Sequence, residues 1–203
     1  MDCVAMNVND LLCVGAEPLA FVDYIAVPTP SNDAHSRIGE SLSEACKRAN
    51  VTLAGGETAT LPGIVTELDL SGTALGWLPS GKAIAGSDIR PDDVLIGFPS
   101  SGIHSNGFSL VRKVVSKSGM SLTEPCPFSP EHESRSVEFD HGDLGSVLLN
   151  PTRIYVDPIV ELLFSDMAIC KRESIHGIAH ITGGGLSNPV SYTHLRAHET
   201  GPY

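Results

Sequence analysis

Val94-Leu-Ile-Gly-Phe-Pro-Ser-Ser-Gly-Ile-His-Ser-Asn-Gly-Phe108 is the stretch on which the reading of this chain turns. Its first five residues have the length and flanks of a buried strand. Beyond it, Leu110, Val111, Val114 and Val115 recur at helical spacing. The turn between them carries two glycines, several hydroxyls, His104 and Asn106. A strand that feeds a helix through such a turn points backbone N–H groups at whatever sits above it, which suits phosphate. A serine or asparagine N-cap that merely starts a helix would have the same local pattern.

Outward from this stretch, strands and helices alternate. Val4–Val14 is an amphipathic helix stopped by Gly15, and Pro18–Val27 is rich in β-formers. Ser31-Asn-Asp33 caps a helix to about Asn50, with Ile38, Leu42, Ala45, Cys46 and Ala49 on one stripe. Val51–Ala54 reads as a short strand ended by Gly55-Gly56, and Glu67–Trp77 as a strand in which Gly72 and Gly76 mark a bulge or close approach. The glycine-rich, polar stretch 79–91 reads as a crossing into a second domain. Glu124–Gly142 is expected to be a loop. Asn150-Pro-Thr152 should cap a helix to about Phe164, kinked at Pro158, and Ile175–Ile181 is expected to be a strand. The expected class is α/β or α+β. The domains fall at 1–85 and 86–188, with 189–203 set apart.

The 203 residues are 41% hydrophobic and 18% charged, enough apolar content for a buried core. A net charge of -11 with no basic patch argues against nucleic acid as partner. An acidic chain that binds a phosphate-bearing ligand needs arranged donors or a divalent cation to offset phosphate repulsion. Five scattered cysteines without a CxxC pair read as reduced thiols of a cytoplasmic protein. No apolar run approaches the ~20 residues of a membrane span.

Both ends are unusual. Met1 is followed at once by Asp2-Cys3-Val4-Ala5-Met6, mid-helix in character. Val190-Ser-Tyr-Thr-His-Leu-Arg-Ala-His-Glu-Thr200 follows neither apolar period and resembles an in-frame translation of transposon-end and adaptor DNA. The genuine sequence is then expected to stop near Asn188, with no role for His194, Arg196 or His198.

Among the candidate chemical groups, Asp10 lies on an amphipathic helix, where an aspartate is most often a solvated residue. Glu57 follows two glycines, where backbone comes close to a ligand. Hard oxygen ligands such as these suit Mg²⁺, which takes one or two carboxylates plus nucleotide phosphates. His104 and His180 each sit at an expected strand end beside a glycine turn, a place where α/β folds bind ligands. A lone histidine there is usually a packed, hydrogen-bonded residue. His35, His132, His141 and His176 have no such context and read as surface.

Eight stretches in order resemble the phosphoribosylaminoimidazole synthetases of purine biosynthesis, also called phosphoribosylformylglycinamidine cyclo-ligases. They are Val4-Ala-Met-Asn-Val-Asn-Asp10, Gly15-Ala-Glu-Pro18, Phe21-Val-Asp-Tyr24, Gly55-Gly-Glu-Thr58, Ser101-Gly-Ile-His-Ser-Asn-Gly107, Ser109-Leu-Val-Arg-Lys113, Pro151-Thr-Arg-Ile-Tyr155 and Ala179-His-Ile-Thr-Gly-Gly-Gly185. The resemblance implies two α/β domains, the first pairing with its twin into a homodimer around a shared barrel. It also implies ATP in a cleft near the domain boundary. The reaction it implies is cyclisation of formylglycinamidine ribonucleotide to aminoimidazole ribonucleotide, with ADP and phosphate released.

On that resemblance Asp10 and Glu57 would hold Mg²⁺–ATP, Gly55 and Gly56 would admit the phosphates, and Thr58, Gly183 and Gly184 would contact ATP or substrate. Ser105, Asn106 and Gly107 would donate to phosphate or to the substrate amide. His180, then His104, would handle a proton or stabilise charge at the cyclising centre, with Asn106 beside them. The family's glycine-rich N-terminal segment and most of its second domain have no counterpart here, so the 203 residues alone are expected to be inactive. The other readings are an ATP-using relative of the selenophosphate synthetase or thiamine-phosphate kinase type, and a non-catalytic nucleotide-binding module.

Overall fold

A computed structural model of the chain describes residues 1–127 and 142–182. It divides into two units. The first comprises Met1, residues 3–93 and the chain from Ile154, and the second comprises Asp2 and residues 94–153.

The first unit is built on helix α1 (Asp2–Cys13), strand β1 (Glu17–Val27), helix α2 (Asn32–Arg48) and strands β2 (Thr52–Thr60) and β3 (Asp69–Trp77). The sheet order is β2-β1-β3, with β2 parallel and β3 antiparallel to the central β1. Serine chemistry starts α2 as expected: the Ser31 hydroxyl accepts the Ala34 N–H at 3.3 Å. Side chains alternate across β1. Phe21 and Ile25 are buried in one cluster with Val4, Val8 and Leu12 of α1 and Leu42, Ala45 and Cys46 of α2. Val22 and Tyr24 on the other face are exposed, as is Leu75, whose β1 partner is Ala20.

The glycines of β3 act by close approach. A Cβ on Gly72 would run into the Phe21 ring, and one on Gly76 would meet the Glu17 carbonyl oxygen at 2.9 Å. Gly55 and Gly56, by contrast, do not end a strand. β2 runs straight through them to Thr60, with a register shift opposite Phe21/Val22. At Gly56 the missing Cβ leaves room for the carboxylate of its cross-strand partner Asp23.

Helix α5 (Val156–Phe164) returns to this unit because Val156, Ile159 and Leu163 join the same apolar cluster. Asn150–Tyr155 is not helical, and the helix begins only at Val156. Pro158 therefore lies in the first turn, where a missing N–H costs nothing and no kink is needed. The Tyr155 N–H donates to the buried Asn9 Oδ1 at 3.1 Å. Arg172, in a short 3₁₀ turn (Arg172–Ser174), donates through Nη2 to the carbonyls of Gly15 and Lys82, each at 2.9 Å, and stacks over Phe164. The first unit runs on to Asp93, and the apolar stripe of α5 brings the chain back to it from Ile154.

The second unit holds helix α3 (Phe108–Ser118) and the short helix α4 (Leu144–Leu148). Gly107 starts α3 and Gly119 ends it, both left-handed. The strands expected at Val94–Phe98 and Ile175–Ile181 do not form. Val94, Leu95 and Ile96 are 84%, 94% and 80% exposed, and no described strand lies beside them to accept or donate backbone hydrogen bonds. An apolar run is a strand only when paired.

Candidate functional site

The first unit brings together one pair of the expected site residues. His180 Nδ1 donates to Asp10 Oδ1 at 2.9 Å, with the imidazole only 10% exposed and the carboxylate well solvated. Asp10 reaches it because the apolar face of α1 is turned to β1, leaving residue 10 on the outer side of the helix next to the chain at 180. A carboxylate on one imidazole nitrogen fixes the tautomer and leaves the other nitrogen to act. The Cys13 thiol nearby is no nucleophile. Burial, then the Asp10 charge, pushes it up to about 12, against a smaller pull from the His180 backbone N–H.

Glu57 does not join them. It pairs in register with Tyr24, on the face of the sheet turned away from α1. It is also displaced along the strands. Leu11 lies by Gly76, opposite Pro18, whereas Cys3 lies by Gly72, opposite Asp23, so residue 10 sits at the end of β1 remote from Tyr24. Asp10 and Glu57 therefore do not form one magnesium site within this unit. Among the described residues no group of three or more His, Cys, Asp and Glu side chains could hold a metal ion. Thr58 follows on β2 and is exposed. Gly183 and Gly184, with His132, His141 and the tail from 189, lie outside the described residues. His176, read as a surface residue, pairs with Asp93 at 2.9 Å.

In the second unit the expected turn is present and half-buried. The Asn106 N–H donates to the Ile103 carbonyl at 3.4 Å, and Gly107 at φ +79 hands the chain to α3. The Ser105 hydroxyl is engaged internally, 2.9 Å from Thr152 Oγ1 and donating to Asp2 Oδ1 at 3.3 Å. Asp2 Oδ1 also accepts the Thr152 N–H at 2.8 Å and its hydroxyl at 2.7 Å. Burial alone would raise the Asp2 carboxyl, but these Thr152 bonds outweigh it and hold it below its usual range. Ser101 Oγ donates to the Pro151 carbonyl at 2.6 Å, and Asn150 Nδ2 donates back to Ser101 O at 3.3 Å.

The stretches around His104 and around Thr152 are thus one hydrogen-bonded object. Sequence reasoning missed Asp2, Asn9, Ser101, Asn150 and Thr152. Asn9, Ser101 and Thr152 lay inside the stretches that carry the family resemblance, and Asn150 and Thr152 were read only as a helix cap; Asp2 had no signal beyond its polar type.

Residues 1–78 match the family AIR synthase related protein, N-terminal domain, and residues 90–191 match AIR synthase related protein, C-terminal domain. The chain is 46% identical over 188 residues to the phosphoribosylformylglycinamidine cyclo-ligase of Methanothermobacter thermautotrophicus, covering 93% of the chain and 51% of that protein. It is 47% identical over 189 residues to that of Pyrococcus furiosus, covering 93% and 50%. The chain spans about half the length of the curated relatives it matches. In fold it is similar to a hydrogenase maturation protein HypE solved in complex with ATP, with a TM-score of 0.51, 19% identity, and coverage of 80% of this chain and 41% of that one. With matches to both of its domains in order along the sequence, this chain belongs to the AIR synthase related protein family.

Proposed function

We propose that this protein takes part in ATP-dependent cyclisation of formylglycinamidine ribonucleotide to aminoimidazole ribonucleotide, in purine biosynthesis in the cytoplasm. The observation that carries this reading is 46% identity along 93% of the chain to a protein named for that ligase activity. The five free cysteines suit a reducing compartment.

In this reading the substrate's amide oxygen is activated by ATP, the amidine nitrogen closes the ring, and phosphate leaves. His180, oriented by Asp10, is the group that moves the proton of the attacking nitrogen. Backbone donors of the Ser105-Asn106-Gly107 turn meet phosphate or the substrate amide, with the Asn106 side chain available beside them. Gly55, Gly56, Thr58, Gly183 and Gly184 remain the proposed nucleotide contacts. Mg²⁺ would supply charge neutralisation on the nucleotide, as in phosphoryl transfer generally. This chain offers it single carboxylates, Asp10 or Glu57, rather than the shared pair. The exposed sheet face bearing Val22, Tyr24 and Leu75 is the surface proposed to meet a second copy.

The test is an ADP-release assay with formylglycinamidine ribonucleotide on the longest protein that carries this sequence. Substrate-dependent ADP release, lost in His180→Ala, is expected. Release that requires selenide or thiamine phosphate instead would replace the ligase reading with that of a superfamily relative.

A further inference from the structure

His104, expected to handle a proton, sits in its turn in a way that suits a different task. His104 has left-handed backbone, φ +54, and its ring folds back on its own chain. The Ser101 N–H donates to His104 Nε2 at 3.0 Å, and the Arg153 N–H approaches the same atom at 3.5 Å. A backbone N–H can only donate, so Nε2 must present a lone pair. The ring is therefore neutral, with its proton on Nδ1. The shorter bond sets the tautomer, and the longer one is weak. Three further bonds fasten the same two stretches: Ser101 Oγ to the Pro151 carbonyl at 2.6 Å, Asn150 Nδ2 to the Ser101 carbonyl at 3.3 Å, and Arg153 Nη1 to the Pro99 carbonyl at 2.9 Å.

We propose that His104 is a positioning residue: as a neutral Nδ1–H imidazole it holds the Ser101 amide through Nε2, with the Arg153 amide in weaker contact, and so sets the shape of the 105–107 turn for its anionic ligand. What the turn receives rests on the proposed function. The clamp itself rests only on the hydrogen bonds. A residue that shuttles a proton through Nε2 needs that nitrogen turned toward a reacting atom, and here it is turned into the backbone. Glutamine separates the two roles, because its Oε1 falls where Nε2 lies and accepts an N–H but cannot carry a proton. Asparagine tolerates the left-handed backbone yet is too short to reach.

Two measurements on the longest protein that carries this sequence test this. In ¹⁵N spectra of histidine-labelled protein, the His104 resonances, assigned by their loss in His104→Gln, should show a protonated Nδ1 and an unprotonated Nε2. Titration with ATP should then find His104→Gln within about threefold of the unsubstituted chain. His104→Ala and His104→Asn should each bind about tenfold more weakly, the scale of one hydrogen bond, with faster exchange at the Ser101 and Arg153 amides. A protonated Nε2, or a Gln variant as impaired as Ala, would overturn the clamp. A chain that shows the expected tautomer and exchange pattern but binds no ATP would support the clamp and count against the nucleotide reading instead.

Discussion

Phe21–Val27 and Val94–Phe98 are the same kind of sequence, short apolar runs rich in β-formers. The first is the centre of a sheet, paired on both sides, with Phe21 fully buried under α1. The second lies open, with Leu95 almost wholly exposed. Composition does not separate them; neighbours do. β1 has β2 and β3 to take its N–H and C=O groups and two helices to cover one face. No described strand flanks 94–98. The contrast extends to the units that hold them. The first unit is held by a contiguous apolar cluster. In the second, α3 has no buried residue, and the buried positions are mostly polar: Ser101, Asn150 and Thr152 with Leu144.

That contrast predicts where substitutions will hurt. Phe21→Ala should cost about 3–5 kcal/mol, the range for truncating a buried aromatic, and should unfold the first unit at markedly lower urea, followed by circular dichroism. Leu95→Ala should shift the midpoint by less than about 0.5 kcal/mol, and a loss like that of Phe21→Ala would show that 94–98 is paired after all.

Thr152→Val should cost about 1–3 kcal/mol, because the half-buried Asp2 carboxylate and Ser105 both lose a hydroxyl partner. Limited proteolysis of the 94–153 region reads this directly. An unchanged cleavage rate would mean the polar lacing does not hold that unit.

Gly15→Ala should cost roughly 1 kcal/mol or more in thermal denaturation. Its φ of +76 is left-handed, and the new Cβ would press on Arg172 Nη2 at 2.6 Å. A neutral result would mean Arg172 is not fastened there.

Acid should act on the second unit through Asp2. Its folded carboxyl lies below the unfolded value of 3.8, so its stabilising effect is complete above 3.8 and fades as pH falls through the folded value. Asp2→Asn should flatten that acid limb in a pH titration of stability, and an identical limb would assign it to other carboxyls. The smallest effect concerns Cys13. With the thiol at about 12, the thiolate is about one part in ten thousand at pH 8, so iodoacetamide should modify Cys126 and Cys170 well before it.

Much of this was legible from residues alone. The periodicity of α1 and α2, the serine cap at 31, the β-rich run of β1 and the glycine signals at 15 and 107 all correspond to local rules, because helix stripes, caps and left-handed turns depend on a few adjacent residues. The site was legible in part. Asp10 and His180 were each candidates, but nothing local says that residues 170 positions apart will share a proton.

The chain by itself determined which segments could bury an apolar face and which turns required glycine, since those are properties of neighbouring side chains and their own backbone. Only the tertiary structure decided that Glu57 faces away from Asp10, that Gly55-Gly56 lies inside a strand, and that 94–98 stays unpaired. Strand register, sheet face and pairing are set by partners far along the chain. A shift of one residue in register would have put Glu57 on the other face with no change in sequence.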